Sequence, residues 1–516
     1  MADTFLPSSM RGALEALSRI VHCNPFLPER LELEREILGG DFREPDVSSR
    51  DLSSFSSNLG KLHEVTQHHA EKAREAFYQA TGTVDEDDFL IYQDAVHFAL
   101  FSSFREPFLD FIRKGYVRGS AARVCSFYKE FAAQHRRFFP LRPGNPEPRH
   151  EAAHVFAMFF QIRRAFYHIF EFIIGTSPAA NRLRARVWQS IFTHDMARYQ
   201  RSLYDRMGDI VTFITGPSGS GKELVARAIG LSRFIPFDED QLLFEEDFLG
   251  SFIPVNLSAL TETLLESELF GHRKGSFTGA LQDRKGYLET CGDFGTILLD
   301  EITETRPDIQ VKLLRVLQTR QFQRLGDTRL LPFRGKFMAA SNRDLAEEMR
   351  AGRFREDFYY RLCSDRVDAL ALREILREDP DELHHLVEYI AGKIAGAEEA
   401  GTLTDEASKW IRKNLGLQYS WPGNFRELEQ CVRNVMVHGE YLPENTQADL
   451  PRANLLTTAL GVGNLTAERF LSEYIASVYE STRNYGETAR RLELDRRTVK
   501  KYVELAEGSD GRASSG

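Results

Sequence analysis

From residue 1 to about 190, apolar side chains recur at helical spacing, clearest around Phe156, Phe159, Phe160 and Phe170 with Ile162, Phe166 and Tyr167 between them. Arg163 and Arg164 read as a polar stripe on that pattern, and this stretch holds 21 of the chain's 38 phenylalanines, an aromatic-filled helical core. At Asp209 the texture changes. The run 210–215 is short, apolar and β-rich; it meets a glycine-rich turn and then a helical pattern over Glu223 to Ile229. Two more apolar runs follow, 295–301 ending in acids and 335–342 ending in polar groups. Strands alternating with helices predict a parallel α/β sheet with its chemistry at the strand C-termini. From about Ala371 to Glu440 the pattern is helical again, and a last helical unit ends near Glu507.

The expected division is therefore an all-α domain over 1–190, an α/β core over 191–370, a helical segment over 371–442, a linker over 443–464, a last helical unit over 465–507 and a flexible tail over 508–516. Residues 233–252, carrying Asp238, Glu239, Asp240, Glu245, Glu246 and Asp247, read as a solvated acidic insertion, with an assembly contact as the alternative.

Composition narrows the class. A 42% hydrophobic content suits several packed cores, and a net charge of −10 argues against a chain coated in nucleic-acid-binding surface. The five cysteines are widely spaced, which fits a reducing compartment and excludes a disulfide framework. Arg163, Arg164 and Glu171 interrupt the longest apolar stretch, and the N-terminus lacks an unbroken apolar h-region, so the expectation is a soluble cytoplasmic protein with no membrane contact.

The strongest chemistry is the run Gly216, Pro217, Ser218, Gly219, Ser220, Gly221, Lys222, placed between a strand and a helix. That is the context of a phosphate-binding loop: backbone N–H groups converge on the phosphates and the lysine reaches the β/γ oxygens. Glu223 stands where a magnesium-ligating hydroxyl usually follows the lysine. Asp300 and Glu301 end the second strand; Asp300 is the expected anchor for Mg2+, and Glu301 is placed to orient a water. ATP and Mg2+ are the expected cofactors, and hydrolysis the expected chemistry.

With these residues in hand, 209–440 resembles the AAA+ domain of sigma-54-dependent transcription activators, the NtrC-type bacterial enhancer-binding proteins. The family's GAFTGA signature appears as Gly275, Ser276, Phe277, Thr278, Gly279, Ala280. The resemblance implies that this loop touches sigma-54, and an exposed Phe277 between glycines is costly without a partner surface. Arg273 stands where family members often carry Glu. By the same resemblance, Asn256 restrains the catalytic glutamate, the alternative being a strand-end cap. Ser341 and Asn342 sense the γ-phosphate, Arg426 reaches the nucleotide in cis, and Arg355 and Arg361 enter a neighbour's site. A shared site implies a homo-oligomeric ring, usually a hexamer.

The last unit resembles the family's Fis-type helix-turn-helix. Ala489, Leu492 and Val499 are expected to pack inward, with Asp495 capping the second helix. Arg496, Arg497 and Thr498 are placed for base edges, and Lys500 and Lys501 for phosphates. Glu493 occupies the turn position usually held by Gly. Together these imply binding of upstream double-stranded DNA and ATP-driven remodelling of the sigma-54 RNA polymerase holoenzyme. The alternative is an ATP-regulated repressor that never engages sigma-54. One further motif, His150-Glu151-Ala152-Ala153-His154, fits a zinc-binding HExxH helix, but the rest of the chain is explained without a peptidase.

Overall fold

A computed structural model describes residues 5–44, 58–80, 84–120, 124–140, 147–443, 466–482 and 484–510. They fall into two compact units, Met1–Leu386 with Asn424–Arg426, and Val387–Gly423 with Glu427–Gly516.

Among the described residues the first unit opens with the helices α1 (Ser8–His22), α2 (Pro28–Leu38), α3 (Leu59–Gln79), α4 (Glu86–Arg118), α5 (Tyr128–Phe138), α6 (Ala152–Phe172) and α7 (Pro178–Phe192). Local signals set their ends. Asp85 caps α4 by accepting the Asp88 N–H at 3.1 Å, ahead of three acids in its first turn, and left-handed Gly119 closes it. Ser177 and Pro178 start α7 in the same manner. The expected boundary at 190 therefore falls inside a helix.

The polar stripe expected at Arg163 and Arg164 is not a surface. Both are buried, and Arg164 donates to the Leu231 and Arg233 carbonyls at 2.9 and 2.5 Å while its guanidinium stacks on Phe160 and Phe248. The reason is that α6 is covered on both sides, by helices on one and by the α/β core on the other.

The α/β core carries a five-stranded parallel sheet in the order Asp365–Asp368, Thr212–Thr215, Lys336–Ser341, Thr296–Asp300, Phe252–Asn256. Residues 296–299 and 336–341 are buried throughout, as central parallel strands are. One face of the sheet shares a continuous core with the helical layer, from Leu17 and Phe104 through Phe156 to Ile214, Leu298 and Met338.

The acidic insertion differs most from expectation. Residues 237–238 and 243–244 form a short antiparallel pair, followed by a 3-10 turn at Phe248–Gly250. Phe237 packs tilted against Phe156 at 4.7 Å, Phe244 stacks on Phe160 at 4.0 Å, and Phe248 is buried beside Tyr116 and His168. The Tyr128 hydroxyl donates to Glu239 and Ser120 to Asp247. This is a docking hairpin rather than a solvated loop, because its phenylalanines interleave with its acids and find an aromatic wall.

The helical run Glu382–Asn414, which enters the second unit at Val387, breaks at Gly396, whose φ is +77°, and a helix Asn424–His438 follows. Three C-terminal helices span Ala467–Thr482, Tyr485–Arg491 and Arg496–Asp510. The last runs three residues past the expected end. From residue 444 the expected linker, and from 511 the expected tail, lie outside the described residues. Among the described residues, no helix is long and apolar enough to cross a membrane.

Candidate functional site

Because all five strands are parallel, their C-termini lie on one edge. The register sets Thr215 beside Ser341 and Asp368, and Asn256 beside Asp300. The phosphate loop leaves that edge at Thr215. At Gly216, φ is +151° and an added Cβ would meet the Ala369 carbonyl at 2.5 Å, so this position admits only glycine. Lys222 is buried at the start of the next helix and donates to the Gly216 and Pro217 carbonyls at 3.0 and 3.2 Å. Burial lowers its pKa, while Glu301 and Asp300 oppose that shift, so cation and carboxylates share one electrostatic environment. Glu223 is exposed and paired with Arg227 at 2.9 Å, away from any ligating role here.

Asp300 and Glu301 are half-buried, and the Asp300 carboxylate accepts the Glu301 N–H. Glu301 is held left-handed at φ +56°, a conformation costing a non-glycine residue about 1 kcal/mol or more. Its carboxylate accepts the Asn342 N–H at 3.3 Å. The neighbouring Ser341 hydroxyl lies 3.3 Å from Thr303 and accepts the Arg343 N–H. Asn256 takes its capping alternative: its side-chain oxygen accepts the Ser258 N–H and hydroxyl at 3.0 and 2.7 Å. The Asn342 N–H, not the Asn256 side chain, is the group bonded to the Glu301 carboxylate in this structure.

Arg426 is exposed and close enough to lower the Lys222 pKa. One residue beside it carries no role in the sequence reading: Asn424, buried and left-handed at φ +53°, donates to the Ser218 carbonyl at 2.8 Å and accepts the Leu372 N–H at 3.0 Å. The Phe425 N–H also meets the Gly219 carbonyl. The Gly423-Asn424 pair was the available signal, since Asn tolerates left-handed backbone. Arg355 is exposed and forms a fork with Asp357, and Arg361 is exposed.

The signature loop hangs from the short pair Gly271–His272 and Arg284–Lys285. Gly275 and Gly279 are left-handed, the Gly275 N–H donates to the Ala280 carbonyl at 2.9 Å, and Phe277 stays 40% exposed, its ring edge-on to His272 at 5.0 Å. Arg273 braces the base by pairing with Asp327 at 2.8 Å and with Asp283. The loop's tip is thus presented on a fixed stem.

At the C-terminus, Ile475, Ala489, Val499 and Val503 form a small core. Asp495 caps the last helix through the Arg497 N–H at 2.8 Å, and Arg496, Arg497, Lys500 and Lys501 are exposed, with Thr498 half-buried. Glu493 makes the turn left-handed at φ +53°.

His150 and His154 stack face to face at 4.0 Å rather than converging on a point. His150 Nε2 lies 2.9 Å from the Gln200 carbonyl, and His154 sits against Tyr204 and Phe234. Among the described residues no group of three His, Cys, Asp or Glu side chains is arranged to hold a metal.

Residues 193–368 match the sigma-54 interaction domain family. Over 334 residues, 63% of this chain and 67% of the relative, it is 37% identical to the transcriptional regulatory protein ZraR of Salmonella typhi. The chain belongs to the sigma-54-dependent activator family. It is also similar to ZraR of Escherichia coli K12, at 38% identity over 56% of this chain, and to the Nif-specific regulatory protein of Azotobacter vinelandii, at 42% over 44%. The chain spans 62% and 40% of those two relatives' own lengths. The sheet and phosphate loop described above are the AAA+ ATPase fold of this family.

Proposed function

We propose that this protein activates sigma-54-dependent transcription in the cytoplasm, hydrolysing ATP in a homo-oligomeric ring, a hexamer by family resemblance, to remodel the polymerase holoenzyme at a closed promoter. The observation that carries the reading is the Gly275–Ala280 loop: an exposed Phe277 on a braced stem, on the same domain as the phosphate loop and the acidic strand end.

In this reading Gly216 to Lys222, with Glu223 next to them, hold the phosphates, Ser341 and Asn342 read the γ-phosphate, and Arg426 reaches the nucleotide in cis. The strand-end carboxylates beside Lys222 are hard oxygen donors suited to magnesium, with Asp300 its ligand; the ion would neutralise phosphate charge. Glu301 orients the attacking water, and its link to the Asn342 N–H ties its position to the γ-phosphate sensor. Arg355 and Arg361, exposed and permanently charged, complete a neighbour's site. Upstream DNA is held by the last helix, with Arg496, Arg497 and Thr498 at base edges and Lys500 and Lys501 on phosphates.

The test is Thr278→Ala, an exposed change within the signature loop. ATP turnover should persist while open-complex formation at a sigma-54 promoter is lost. Promoter opening that survives the substitution overturns the activator reading in favour of a repressor indifferent to the loop.

A further inference from the structure

The helical layer carries an open-mouthed cavity of about 360 Å³ lined chiefly by α1, α4, α6 and α7. That volume lies within the range of small-molecule sites, which are apolar-walled with a few polar groups that fix orientation. Phe101, Phe159, Phe166 and Trp188 supply the walls. Arg105, Arg113 and Arg163 bring three positive charges, and Glu106 answers only one of them, lying 3.5 Å from Arg105 and 3.9 Å from Arg163. Arg30 and Glu34, also on the lining, neutralise each other at 2.7 Å. Arg113 is exposed and has no ion-pair partner among the described residues. His97 also lines the cavity, its ring edge-on to Phe159 at 6.0 Å.

A surplus of positive charge over an aromatic-walled void is chemistry that neither the nucleotide site nor the loop uses. We infer that this cavity binds a small organic carboxylate with an aromatic or apolar body, the carboxylate against Arg105, Arg113 and Arg163 and the body among the four aromatic rings. Guanidinium groups suit this because their planar fork pairs with a carboxylate at fixed geometry. Position gives such a ligand consequence. Helix α6 meets the cavity with Ile162, Arg163 and Phe166, and its opposite face, through Gln161, Arg164 and His168, bonds Ser232 and the carbonyls of residues 231–233 at the end of the helix that follows the phosphate loop.

The experiment is calorimetric titration of the full chain with 1-naphthoate and with its neutral counterpart 1-naphthamide, so it stands apart from the ATPase reading. Naphthoate should bind once per chain, at least about tenfold more tightly than the amide. Arg113→Gln should weaken naphthoate about tenfold and leave the amide unchanged, since one charge-assisted hydrogen bond contributes about that factor. Ser102→Phe, which fills the void from α4, should abolish both. No binding to the unaltered protein, equal affinity for acid and amide, or an unchanged naphthoate affinity in Arg113→Gln would each overturn the inference. Arg113 is exposed, so this variant folds even where Ser102→Phe does not.

Discussion

If the acidic insertion is a docking hairpin, Phe248 is one of its anchors and Phe248→Ala is the perturbation that exposes it. The ring is 1% exposed and sits beside Tyr116, Phe160 and His168, with the Arg164 guanidinium 5.4 Å from its centroid. Deleting a fully buried phenylalanine removes about 1.5–3 kcal/mol of transfer free energy. The residual cavity and the lost ring contacts raise the total to about 3–5 kcal/mol. The site collapses poorly, because rings and a tethered arginine surround it, so the upper half of that range is expected. Urea unfolding of the full chain, followed by fluorescence, measures the loss, since Trp188 lies in the same helical layer. Asp240→Ala on the exposed tip of the same hairpin is the control and should stay within about 0.5 kcal/mol. A Phe248→Ala penalty below about 1 kcal/mol would refute the docking argument and restore the solvated loop.

Glu301→Gln should retain ATP binding and lose about two to four orders of magnitude in turnover, read by single-turnover hydrolysis; undiminished hydrolysis removes Glu301 from its role. Arg361→Ala should lower turnover by at least about 10³-fold, and turnover of the unaltered protein should climb steeply with protein concentration; flat turnover says the site is complete within one chain. Glu493→Gly should stabilise the C-terminal helices by about 0.5–1 kcal/mol, because φ +53° is strained for glutamate and free for glycine; a lower melting midpoint counts against that turn geometry. Burial, aided by His150, pushes the His154 pKa down to about 4. The unfolded chain therefore binds a proton that the folded one refuses, and stability falls as pH drops from about 6.5 to about 4, by up to about 1.4 kcal/mol per pH unit. His154→Phe should flatten that part of the profile, and an unchanged slope in denaturant titrations would rule out the histidine as its source.

What can be read along the chain is what depends on neighbours in sequence. The phosphate loop needs glycines at fixed spacing between a strand and a helix, and Gly216 to Lys222 meet that demand within seven residues. The acidic strand end, the Gly275–Ala280 loop and the Asp495 cap are equally local, and the structure has each where its spacing implies. Positions whose partners lie far along the chain were not legible in this way. Arg164 reads as polar surface until Leu231 and Arg233 arrive some 70 residues later to take its hydrogen bonds. The insertion reads as charge because its six acids outnumber its anchors, while Phe237, Phe244 and Phe248 gain meaning only against Phe156, Phe160 and Tyr116. Asn424 joins the phosphate loop only through a turn that brings residues 206 apart into contact. Local stereochemistry was enough to establish which chemistry the chain carries. Which face each helix buries, and therefore how the helical layer grips the helix behind the phosphate loop, was decided by long-range packing of apolar surface, which no single segment encodes.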